Sequence, residues 1–203
     1  MKLKTALFLV MNGFASLTSS MAQSNIIQIS NQQKKVAITY SSAESKLAAE
    51  ILYSYLEKSL PNTFEIKDKN ITKSDAQIIL EIQKNNKELK DQEFILKSNS
   101  QDISLLATNL KSLKYAVYTL LEKWEFRKFT ATVSYIPKPD AFIFPKNFYQ
   151  KYQPTFAYRT LLYPDSYDQA FREWHKLDWF NDDFGLWGHT FDRLVPPKTH
   201  FKT

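Results

Sequence analysis

The sequence predicts an α/β (α+β) fold: a mixed β-sheet with helices packed on it. Three observations predict it. Short apolar runs of strand character alternate with two helical segments between residue 25 and about 145. Each helical segment carries one apolar stripe, as a helix lying on a sheet requires. A hydrophobic content of 43% with 24% charged residues belongs to a chain that buries a core. The order reads β-α-β-β-β-β-α-β, a mixed sheet with a right-handed first crossover.

The elements follow in order. Val36, Ile38 and Tyr40 alternate with Ala37 and Thr39, the period of a strand. Ser41-x-x-Glu44 has the spacing of a capping box, and Leu47, Ala48, Ile51, Leu52, Tyr55 and Leu56 behind it form a helical stripe. Leu60-Pro61-Asn62 stops that helix. Thr63 to Lys67 reads as a second strand, and Ile78-Ile79-Leu80 as part of a strand covered on both faces. Glu93 to Lys97 and Asp102 to Ala107 flank the turn residues Ser98 to Gln101 as a strand pair. Asn109 is placed to cap a helix with the stripe Leu110, Leu113, Val117, Leu120, Leu121 and Trp124. Thr132 to Ile136 is expected to return to the sheet. No pair of polar residues in this region stands out as catalytic, so it reads as scaffold or as a binding and packing module.

Residues 1–22 stand apart. Lys2 and Lys4 precede a short apolar run from Ala6 to Phe14, and Ser20-Met21-Ala22 supplies small residues for cleavage after Ala22. This predicts a cleavable leader and a secreted or periplasmic protein; the run is too short to span a membrane. The chain has no cysteine, so outside the cytoplasm it depends on its core and not on disulfides. Beyond the leader the glycines are Gly185 and Gly188, which excludes a glycine-rich phosphate loop. The net charge of +6 becomes +4 without Lys2 and Lys4, and the lysines are scattered. That predicts a solvated surface and no nucleic-acid partner. No cofactor is called for.

Pro137, Pro139, Pro145 and Pro154 break the chain repeatedly, as a linker that forms neither a long helix nor a central strand. Composition then shifts. His175, His189 and His200, and Trp174, Trp179 and Trp187, all lie beyond residue 170, and the arginines run from Arg127 to Arg193. Arginine forks and tryptophan faces suit a sugar ring, with its hydroxyl edge and apolar C–H face. The histidines lack the short paired spacing of a metal site, and no nucleophile elbow appears.

At these residues the chain resembles a known module. Tyr115-Ala116-Val117-Tyr118 with Leu121-Glu122, followed by Pro154-Thr155-Phe156-Ala157-Tyr158-Arg159, is similar to a two-part arrangement in glycoside hydrolases. The front part resembles the non-catalytic α/β domain (domain 2) of family-20 β-hexosaminidases and the N-terminal domain of family-67 α-glucuronidases. The nearest resemblance is to domain of unknown function 4838, whose tail looks like Gly188-His189-Thr190-Phe191, Leu194-Val195-Pro196-Pro197 and residues 198–202. Members usually carry glycine where Ala116 stands, and often another near Glu125. The resemblance implies a domain at 23–145, then a linker and the opening of a truncated (β/α)8 barrel at 146–203. The catalytic carboxylates would come from later barrel strands, leaving this chain inactive alone.

The resemblance makes Arg159 the first substrate-binding candidate, against a structural role at a domain interface. His189 and Trp187, beside Gly188, are the further candidates. Asp178, Asp182, Asp183 and Asp192 form a loose acidic set more easily read as caps and surface, and Trp174, Trp179 and Trp187 are either a sugar platform or core. Two functions remain open: the front portion of a secreted glycoside-hydrolase-like protein acting on carbohydrate, or a stand-alone glycan- or partner-binding module. A purely structural envelope protein is a third.

Overall fold

The computed structural model describes residues 25–32, 35–69 and 76–179. The leader expected at residues 1–22 lies outside them. The chain divides into two compact units, Met1–Arg127 with Tyr135–Pro154, and Lys128–Ser134 with Thr155–Thr203.

The first unit is built on a six-stranded mixed sheet. Its strands are β2 (Val36–Tyr40), β3 (Phe64–Asp68), β4 (Gln77–Ile82), β5 (Phe94–Ser98), β6 (Ile103–Ala107) and β10 (Tyr149–Tyr152), in the order β10-β5-β6-β4-β2-β3. β2 pairs parallel with β3 and β4, and β4 parallel with β6; β5 pairs antiparallel with β6 and β10. The parallel pair β2–β3 needs a crossover, supplied by α1 (Ala43–Ser59). Helix α2 (Leu110–Lys123) follows β6. Helix α1 packs on β2, β3 and β4, α2 on β4, β5 and β6, and the helices on each other, so both lie on one face. The register puts Ile38, Ile78, Ile103, Leu80, Leu105 and Leu96 on one face, and all are buried. The alternate face is mixed: Ala37, Thr39, Ile95 and Leu106 are buried, whereas Lys67, Ile79, Ser104 and Lys97 are partly or fully exposed.

A two-stranded ribbon, β1 (Ile26–Ser30) paired antiparallel with β9 (Ala141–Pro145), completes the unit. It alternates except at its end: Ile27, Ile29, Phe142 and Phe144 are buried and Ile143 is exposed, while Ser30 beside Ile29 is also buried. Phe142 is the hub of an aromatic cluster, its ring 4.7 Å from Trp124, 5.9 Å from Phe126 and 6.3 Å from Phe64. Trp124 also donates its indole N–H to the Ile143 carbonyl (3.0 Å), satisfying the one polar atom of a buried ring. Ser59 donates to the Pro137 carbonyl (2.5 Å), fastening the proline-rich segment to the end of α1.

Helix ends are settled by local chemistry. Asn109 caps α2 as expected, its side-chain oxygen accepting from the Ser112 N–H (2.9 Å). At the far end the Phe126 N–H bonds the Leu121 carbonyl and the Glu125 N–H the Glu122 carbonyl, both at 3.1 Å, a Schellman motif. That motif needs a left-handed residue, and Glu125 fills it at φ 69°.

Several expectations are corrected. The capping box is Ser42 with Ser45, because the helix begins at Ala43 and its third residue is Ser45, not Glu44. Leu47 is 50% exposed, and Ala49 takes its place in the buried stripe. Ile79, on the face away from the helices, is only half-buried, although Thr39 beside it is buried. The expected return strand at 132–136 is β8 (Ser134–Tyr135), which pairs with β7 (Arg127–Lys128) in a separate two-stranded hairpin. The stretch read as a linker contains β9 and β10, neither a central strand, as its prolines require.

Candidate functional site

The two motifs behind the resemblance have different surroundings. In α2, Tyr115, Ala116, Val117, Tyr118 and Leu121 are all buried, and Ala116 is fully enclosed. These residues pack the helix and present no reactive group to solvent. The second motif, Pro154 to Arg159, follows β10, and residues 153–163 pair with no described strand.

In the second unit a 3-10 turn (Pro164–Tyr167) leads into the short helix α3 (Gln169–Trp174). Asp168 caps α3 by accepting from the Phe171 N–H (2.6 Å). Buried Ser166 donates to the Leu161 and Tyr163 carbonyls, each at 2.7 Å, and Asp165 accepts from the Ala131 N–H (2.7 Å). Phe171 and Trp174 form the buried centre, Trp174 at 2% exposure. Trp174, one of the rings considered for a sugar platform, is therefore core. A ring nitrogen of His175 lies 2.9 Å from the Lys128 carbonyl.

Arg159 knits two segments of this unit. Its Nε donates to the Lys176 carbonyl (2.9 Å) and its Nη1 to the Phe156 carbonyl (2.6 Å). Its backbone N–H donates to Asp178 Oδ2 (2.9 Å), and the Asp178 N–H donates to the Arg159 carbonyl (2.6 Å). Asp178 is buried and acts here as a backbone acceptor. Lys176 occupies the left-handed position of a second Schellman motif, at φ 59°, so Arg159 also ties down the end of α3. Charge-assisted bonds to carbonyls are strong. Nε and Nη1 of the Arg159 guanidinium are thus engaged with backbone carbonyls.

Arg172 and Trp179 form a second arrangement. The Arg172 guanidinium stacks over the Trp179 ring, 4.4 Å from its centroid. Its Nη1 donates to the Ser166 (2.7 Å) and Tyr167 (3.0 Å) carbonyls. The Tyr167 ring meets Trp179 edge-on at 5.4 Å and 71°. Sequence reading singled out Trp179 but not Arg172 or Tyr167; a helix-borne arginine five positions after a tyrosine carries no signal until the turn between them closes. His189, Trp187, Asp182, Asp183, Asp192 and the tail motifs lie outside the described residues.

The perturbed carboxylates lie elsewhere, in the first unit. Burial pushes the Glu93 carboxyl up, but Lys151 (2.8 Å) and the Lys90 N–H (2.9 Å) outweigh it and hold it below the ordinary range. Glu81 is likewise pushed up by burial and brought lower by Lys69 and Gln83. Both pairings are structural. Among the described residues no three metal-ligating side chains gather, and no helix is long and apolar enough to cross a membrane.

No protein-family model matches the chain, and no curated protein matches it. Solved structures do resemble it. A family GH20 exo-β-N-acetylglucosaminidase from Vibrio harveyi aligns over 66% of this chain and 18% of its own, at 18% identity and TM-score 0.44. A family GH115 4-O-methyl-α-glucuronidase with specificity for decorated arabinogalactans aligns over 66% and 19%, at 18% identity and TM-score 0.47. A Streptomyces plicatus β-hexosaminidase aligns over 66% and 24%, at 14% identity and TM-score 0.48. The chain thus spans about a fifth of the length of each enzyme it resembles.

Proposed function

We propose that this chain is the front, non-catalytic portion of a secreted glycoside-hydrolase-like protein that processes carbohydrate, of the group resembling domain of unknown function 4838. The first unit supports, and the second contributes contacts to a carbohydrate partner. The observation that carries this reading is the placement of the two motifs. Tyr115 to Glu122 belongs to a helix that packs the sheet, and Pro154 to Arg159 opens a second unit whose arginine organises a loop cluster. A supporting domain followed by a site-bearing one is the order that the sequence motifs imply. Export would leave Gln23 as the first residue.

The test is turnover. The purified chain is offered chromogenic exo-glycosides and soluble polysaccharides, and no hydrolysis is expected; measurable turnover abolished by a carboxylate substitution in this chain would refute the reading. Amino-terminal sequencing of the exported protein checks cleavage after Ala22. A second reading, a stand-alone glycan- or partner-binding module, is favoured by one observation: Phe156, Leu161, Leu162, Tyr163 and Tyr167 of the second unit are all exposed.

A further inference from the structure

We infer that Tyr167, Arg172 and Trp179 form a binding site for a neutral pyranose within the second unit, distinct from Arg159. The inference rests on the carbohydrate reading above and names the residues that would serve it. Three features of the geometry carry it. First, the Tyr167 ring is 60% exposed, yet its position is set: its carbonyl accepts from Arg172 and its ring abuts Trp179 at 71°. An exposed ring held in place offers an apolar face at little cost in side-chain freedom. Second, Arg172 is oriented on both sides, by Nη1 bonds to two carbonyls and by stacking on Trp179. Those carbonyls take Nη1, and Nε with Nη2 is the edge that would meet a pair of vicinal hydroxyls. Third, ring and fork both meet Trp179, and a pyranose needs both: a C–H face to stack and a hydroxyl edge to bond.

Charge decides between neutral and acidic sugars. Asp165, Asp168 and Glu173 surround Arg172 in sequence, and the carboxylates of Asp165 and Asp168 are spent on backbone N–H groups nearby. A uronate would add a like charge to that acidic set; a neutral ring would not. Arg159, by contrast, has its Nε and Nη1 on backbone carbonyls and acts as a positioning residue for the loops beneath.

The experiment is calorimetric titration of the full chain with cellotetraose, chitotetraose and maltotetraose as neutral probes and tetragalacturonate as the acidic one. At least one neutral tetrasaccharide is expected to bind in preference to the uronate. Tyr167→Ala is expected to weaken it about tenfold with an unchanged melting temperature, since the exposed ring supports little of the fold. Arg172→Lys, which keeps the charge but loses the fork, is expected to weaken it as well. Absence of binding to every neutral probe, unchanged affinity in Tyr167→Ala, or preference for the uronate would overturn the site. Unchanged affinity in Tyr167→Ala with glycan still bound sinks the site and leaves the carbohydrate reading standing; glycosidase turnover by the chain sinks the non-catalytic reading and leaves the site standing.

Discussion

Replacing Glu125 by glycine should stabilise the first unit. Glu125 closes the Schellman motif of α2 at φ 69°, where a side-chain Cβ crowds the backbone. The left-handed conformation costs a residue with a Cβ about 1–2 kcal/mol. Glycine removes that cost but gives the unfolded chain more freedom, returning about 0.5–1 kcal/mol. The net expectation is about 0.5–1 kcal/mol of added stability, a rise of about 2–5 °C in melting temperature. The Glu125 side chain is exposed, so little else is lost. Glu125→Ala is the control: it removes the carboxylate but keeps Cβ, and should stay within about 0.5 kcal/mol of the parent. Urea unfolding followed by circular dichroism gives the free energies, and hydrogen exchange at Tyr115 to Leu121 assigns the gain to the first unit. Equal stability of the two variants, or a loss with glycine, would refute the argument that conformation at this position governs the helix end.

Other expectations follow from single contacts. Asn109→Ala should cost about 1 kcal/mol by uncapping α2, and Asn109→Asp should recover most of it in the same denaturation assay, although Asp91 lies beside that side chain. Phe142→Ala should cost about 3–5 kcal/mol by emptying the aromatic hub, and near-ultraviolet dichroism from Trp124 should fall with it. Arg159→Ala should loosen residues 156–159 and 176–178 together, with amide exchange there accelerating while the sheet stays protected; Arg159→Lys should not rescue it. Glu93 is held below its ordinary value of 4.5, so its contribution is present above that pH and lost as pH falls through the lower folded-state value. Lys151→Met should remove part of that acid-side loss, seen as a flatter stability profile below about pH 4.5.

Much of the first unit was legible because its signals are short-range. Asn109 could be read as a cap, since the Ser112 N–H it bonds lies three residues away. The pair β5–β6 was legible because only a turn separates its strands. What failed had long-range partners. β1 pairs with β9 more than a hundred residues later, and nothing local in Ile26–Ser30 says so. Tyr149–Tyr152 looked like linker because its neighbours are prolines, yet an edge strand needs ladder bonds on one side only, and β5 supplies them. The capping box slipped by one residue because two serines in succession offered two starts.

The candidate site divides the same way. By itself the sequence determined that the front of the chain folds as helices on a mixed sheet, and that arginine and tryptophan concentrate behind Pro154. Periodicity and caps act over three to five residues and need no partner to be recognised. Only the tertiary structure decided what those arginines do. A guanidinium bonds whatever acceptors the fold brings within reach: for Arg159 these are the carbonyls of Phe156 and Lys176, whereas Arg172 is laid against Trp179 beside an exposed tyrosine.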